Sequence, residues 1–123
     1  MSSAATLSAS SIIGTEVTNS DGEDLGKFED LVIDLELGVI SYAILSYGGF
    51  MGMGNKWFAL PWRAFSPSNS EKKFVLGVSE EKLKDAEGFD KDNWPQMDRT
   101  WGAALYERYG YKPYWERLRA EVS

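Results

Sequence analysis

The sequence contains no cysteine and no histidine. Without cysteine there is no disulfide, no thiol nucleophile and no thiolate zinc site. Without histidine the commonest general base and the commonest transition-metal ligand are both missing. A Ser or Thr nucleophile would lack an imidazole partner, and no Ser-x-x-Lys pair stands in an activating context to replace it. These absences point away from an enzyme. Basic residues are in the minority, 13 against 19 acidic, for a net charge of −6. Phosphate neutralisation needs a basic face, so nucleic acid is not an expected partner. Long hydrophobic runs are lacking as well. The most apolar stretch, YAILSYGGFMGMG, is cut by serine and glycine and falls short of the roughly 20 residues a membrane helix needs. The opening MSSAATLSAS has neither the basic region nor the apolar run of a secretory signal. Residues 1–11 read as a disordered leader, and the cytoplasm is the expected location.

What is present is a chain of 123 residues, enough for one domain with a modest core. From residue 12 to 79 the signals are those of short strands and tight turns. NSDG (19–22) is a turn with glycine where a positive φ is needed. LGKFEDLVID follows as a strand, with Leu31 and Ile33 on one face and Phe28 and Val32 on the other. LELG turns the chain at Gly38. VISYAILSY is β-branched and aromatic on both faces, as in a central strand covered on both sides. KWFALPW reads as another strand with Pro61 near an edge or a bend, and FVLGV as the last. The class is mainly β, with five or six strands in a small antiparallel barrel or sandwich. Residues 80–123 differ. Ser79 caps a short helix whose first turn carries Glu80 and Glu81, and which ends near Gly88. After an irregular linker, Asp98 caps a second helix that Gly110 closes.

The glycine-rich stretch GGFMGMGNK (48–56) invites a phosphate-loop reading. Gly49 and Gly54 have the spacing, but Asn55 separates Gly54 from Lys56, and Trp57 stands where a Ser or Thr would hold magnesium. The segment after Lys56 is a strand, so no helix N-terminus faces a phosphate. It is a wide hairpin connection. Its apolar residues Phe50, Met51 and Met53 are candidate partner contacts.

Acidic residues crowd between Asp21 and Glu36, without the glycine and glutamate positions of a calcium loop. Alternate strand side chains diverge, so Glu29 and Asp30 cannot converge on an ion. The reading is a solvated acidic face with some carboxylates accepting turn N–H bonds. No metal, cofactor or catalytic residue is assigned. Aromatic residues crowd between Phe89 and Trp115, interleaved with Arg99, Arg108 and Lys112. Trp101, Tyr109 and Trp115 are candidate contact anchors, either on the chain's own barrel or on a second subunit.

One ordered string remains: GTEV (14–17), Asn19, Gly22, Glu23, Leu25, Gly26, EDLVID (29–34), Gly38, Tyr42, Ala43, GGF (48–50), Gly54, Lys56 and FALPW (58–62). Over about residues 12–80 this resembles the PRC-barrel domain, the family named for the cytoplasmic part of the photosynthetic reaction-centre H subunit. The resemblance implies a small antiparallel β-barrel of about six strands, here followed by short C-terminal helices. Stand-alone bacterial members carry similar aromatic tails. It leaves the activity open; with the missing cysteine and histidine and the aromatic tail, the reading is a non-enzymatic interaction or assembly module with a protein partner or a second copy, a homo-oligomer such as a dimer being expected. A peripheral component of a photosynthetic or electron-transfer complex is the alternative, and a metal- or small-ligand-binding module a second one. The H-subunit's membrane helix has no counterpart in this sequence. The second barrel of the ribosome-maturation factors that share the domain has none either.

Overall fold

The computed structural model describes residues 6–47, 56–68 and 73–116. Among them the elements run α1 (Ala9–Ile12), β1 (Glu16–Thr18), β2 (Asp24–Asp34), β3 (Val39–Tyr47), β4 (Lys56–Pro61), β5 (Phe65–Pro67), β6 (Lys73–Leu76), α2 (Glu80–Lys84) and α3 (Arg99–Arg108). The strands form one curled sheet, a half-barrel, in the order β4-β3-β2-β1-β6-β5. Four of its pairings are antiparallel, and β1 with β6 is parallel, setting Val17 beside Phe74. A parallel pair needs a long crossover; here the intervening strands β2–β5 supply it.

Turn chemistry sets the hairpins. The Asn19 side chain accepts the N–H groups of Asp21 and Glu23, each at 2.9 Å, and closes the β1–β2 turn. Further along, period-two alternation in β2 fails at one point. Its register against β3 passes from Phe28–Leu45 to Asp30–Ile44, so Glu29 is an extra residue, a β-bulge. Phe28 and Leu31 therefore both contribute to the inner core while Val32 packs outward, where strict alternation would have put Phe28 and Val32 together. Gly26 lies at φ 147°, and a Cβ there would overlap the Ser46 carbonyl of β3. Only glycine allows the strands this approach.

The strong apolar character of β3 is explained by two covers. Ala43 and Leu45 face inward with Val17, Phe28, Leu60 and Leu76; Tyr42 and Ile44 face outward. The inner core is closed by Phe28, whose ring meets Phe65 at 4.8 Å and Phe74 at 5.0 Å between centroids. The outer face of β3 and β4 is covered by the C-terminal segment. There Asp98 caps α3 by accepting the Trp101 N–H at 2.9 Å. At its other end Tyr111 N–H bonds Tyr106 O at 2.9 Å and Gly110 N–H bonds Glu107 O at 3.0 Å, with Gly110 at φ 84°. This pair of bonds is a Schellman close.

Two boundaries differ from the sequence expectation. Residues 9–12, overlapping the expected leader, form a helical turn capped by Ser8, and Ile12 is buried in the inner core. One apolar side chain at the end of a polar run is enough to dock the turn. Helix α2 stops at Lys84, before Gly88. Gly88 instead lies against the Phe58 ring, and Phe89 exchanges two backbone hydrogen bonds with Trp57, at 3.0 and 2.9 Å, on the outer edge of β4.

Candidate functional site

The β2–β3 turn is built by Asp34. Its Oδ1 accepts the N–H groups of Glu36 and Leu37, both at 2.9 Å, and its carbonyl accepts Gly38 N–H at 2.7 Å. This Asx turn fixes the backbone and leaves the intervening apolar side chains facing water. Leu35 is 90% exposed, Ile33 46% and Leu37 40%. Single exposed apolar residues need no explanation, but three within five positions, at the end of β2 and on the turn that follows it, form a patch.

The C-terminal segment is fastened across this turn. Tyr114 donates its hydroxyl hydrogen to Asp34 Oδ2 at 2.5 Å, and Arg99 Nη1 lies 3.1 Å from the same oxygen. Arg99 Nη1 also donates to the Tyr114 hydroxyl at 3.0 Å, and Nη2 reaches Glu36 Oε1 at 3.4 Å. The guanidinium sits over the Trp115 ring, 4.5 Å from its centroid. Burial would raise the Asp34 pKa, but the Tyr114 hydroxyl, the two turn N–H groups and Arg99 outweigh it and hold the carboxyl below its ordinary 3.8. Tyr114 is pushed up to about 12, first by burial and then by its bond to Asp34. Both carboxylate oxygens are thus engaged, Oδ1 by the turn and Oδ2 by Tyr114 and Arg99.

Behind the latch the segment lies on a tyrosine platform. The Tyr42 ring meets Trp101, Tyr106 and Tyr114 edge-on at 5.2, 5.8 and 6.3 Å. Tyr106 donates to the Ser41 carbonyl at 2.5 Å. Gly102 makes the contact possible, because a Cβ there would overlap the Tyr42 hydroxyl and press on Trp115. Burial raises the Tyr42 pKa, keeping it neutral. Between turn and segment runs an open groove of about 370 Å³, bordered by Ile33, Leu35, Met97, Arg99 and Trp115. A larger concavity of about 520 Å³ lies by the β1–β2 turn and the start of α2, where Asp21, Glu23, Glu80 and Glu81 line it without an aromatic side chain. Among the described residues no group of three or more acidic side chains is placed to hold a metal ion. Several of the acidic residues accept turn N–H bonds, Asp24 from Gly26 and Asp34 from Glu36 and Leu37.

Of the residues singled out in the sequence, Trp101 and Trp115 flank this junction, half-buried against Tyr42 and Arg99 respectively. Tyr109 lies elsewhere: it is 6% exposed and belongs to the inner core. Phe50, Met51 and Met53 lie outside the described residues. Sequence reasoning missed Asp34, Arg99 and Tyr114 as partners, and Ile33, Leu35 and Leu37 as a patch. The available signal was the run IDLELG, where leucines occupy turn positions usually given to polar residues.

A curled six-stranded sheet with a strapped helical extension defines the class. Residues 5–83 match the PRC-barrel domain, and the chain belongs to that family. A search of curated proteins finds no match. The matched region ends within α2, so the linker and α3 lie beyond it. No helix among the described residues is long and apolar enough to cross a membrane.

Proposed function

We propose that this chain is a non-enzymatic protein-interaction module whose contact surface is the β2–β3 turn and the groove beside it. A PRC-barrel domain fits an interaction role at a coarse level. The observation that carries the finer reading is the exposed set Ile33, Leu35 and Leu37, held on a turn that Asp34 and the C-terminal segment make rigid. Rigid apolar anchors beside half-buried aromatic and Arg side chains are the composition of binding hot spots. The partner is a protein or a second copy of this chain. Glu36 on the turn and Asp98 beside the groove favour a partner whose rim is basic.

The test is affinity capture from native lysate with the wild-type chain and with Leu35→Asp, read by quantitative mass spectrometry. A partner retained by the wild type and lost with Leu35→Asp supports the reading. A partner held equally by both moves the contact surface elsewhere.

A further inference from the structure

The two cores of this protein differ in kind. The inner one is mostly aliphatic and phenylalanine, including Val17, Leu45, Leu60, Leu76 and Leu83. The outer one, between the sheet and residues 99–116, is built mainly from Tyr and Trp with Arg at its rim. The Tyr106 and Tyr114 hydroxyls are tied to Ser41 and Asp34. Amphipathic aromatics, two of them with bonded hydroxyls, beside a charged rim are the composition of an interface between two molecules.

The segment joining the two parts is equally distinctive. Residues 90–94 are exposed, and apart from Asp98, which accepts the Trp101 and Gly102 N–H groups of α3, the hydrogen bonds of 90–98 run within the segment: Asn93 N–H to Asp90 O, Trp94 Nε1 to Lys91 O, Asp98 N–H to Gln96 O. It touches the barrel through an exposed Lys56–Asp90 ion pair, the Trp94 ring beside Trp57, and Met97. Nine residues extended reach about 30 Å.

We infer that the C-terminal strap, residues 99–116, exchanges between two copies of this chain, with residues 90–98 as the hinge. This rests on the interaction-module reading and names a second copy as a partner. The occupant is specified by the fold itself, because a strap delivered in trans re-forms every contact it makes in cis. Gly102 lies on the other copy's Tyr42, Tyr106 bonds its Ser41, and Tyr114 and Arg99 close on its Asp34. The Arg108 bond to the Asp85 carbonyl is kept too, since Asp85 precedes the hinge. An exchanged pair is two-fold symmetric and closed, so it stops at the dimer.

The test mixes two full-length variants, Asp34→Arg and Arg99→Asp. Each alone places like charges in its own latch. In a mixed exchanged pair one latch regains the native pairing of Asp34 with Arg99. The other pairs the two introduced side chains, with the charges reversed. Unfolded together and refolded, the mixture is expected to give a one-to-one dimer by light scattering with mass detection, twice the mass seen for either variant alone. Should either variant fail to fold by circular dichroism, a deletion of residues 91–93 decides. It leaves the latch intact and shortens the hinge, and it raises the dimer fraction severalfold on refolding at near-millimolar concentration. A mixture that stays monomeric, a shortened chain that stays monomeric, or a dimer that forms equally from Asp34→Arg alone each overturns the exchange. If partner capture remains sensitive to Leu35→Asp in any of those cases, the module reading stands and only the exchange is lost.

Discussion

Tyr114 donates its hydroxyl hydrogen to the Asp34 carboxylate at 2.5 Å, joining residues 80 positions apart. One carboxylate thus shapes the β2–β3 turn with Oδ1 and anchors the C-terminal segment with Oδ2. The turn's exposed patch and the strap's docking are coupled through that group.

Removing only the hydroxyl separates the latch from the packing. Tyr114→Phe keeps the ring against Tyr42 and Tyr106. It takes one charge-assisted partner from Asp34, which still has Arg99 and two turn N–H groups. The expected loss is about 1–2 kcal/mol in urea unfolding.

The latch also fixes the pH dependence. Asp34 is lowered from 3.8, so its contribution is complete above about pH 4 and is lost as pH falls through the folded value. Tyr114 is raised from 10.0 to about 12, so its contribution is complete below pH 10 and is lost as pH rises toward 12. Thermal melts of Asp34→Asn are expected to show lower stability near neutrality and a flatter acid limb than the wild type.

The close approach of α3 to β3 gives a paired prediction. Gly102→Ala pushes a methyl group onto the Tyr42 hydroxyl and toward Trp115. Overpacking of this kind costs about 1–3 kcal/mol. Tyr42→Phe removes the obstructing oxygen, so the double variant is expected to recover part of that loss. A double-mutant cycle by denaturant unfolding measures the coupling; additivity would mean that the two groups do not meet.

Leu35→Asp is expected to leave stability within about 0.5 kcal/mol of wild type, because surface positions without packing partners seldom matter. A large loss on melting would show that Leu35 is covered in solution.

Much of the fold was legible because local rules and tertiary demands agreed. VISYAILSY carries apolar residues on both faces because two cores cover it, and Asn19, Asp98 and Gly110 mark their turn and caps as residue chemistry dictates. Alternation along β2 misled, since the bulge at Glu29 changes its parity and leaves no mark in the residue pattern. The parallel β1–β6 pair was hidden for a similar reason, because pairing of the first strand with the last is a long-range relation that no local pattern records. The candidate site was half legible. Aromatic crowding pointed to the strap, but Asp34 sits in an acidic run where nothing local distinguishes it from its neighbours. Its partners Arg99 and Tyr114 come from the far end of the chain.

Backbone hydrogen exchange of the captured complex measures most directly whether the β2–β3 turn is the contact surface. Binding there is expected to slow exchange at residues 33–37 and along the groove at 97–99. Residues 65–67 of β5 are expected to exchange unchanged. Protection confined to the β5–β6 hairpin or to the acidic β1–β2 turn, with residues 33–37 exchanging as in the free protein, would contradict it.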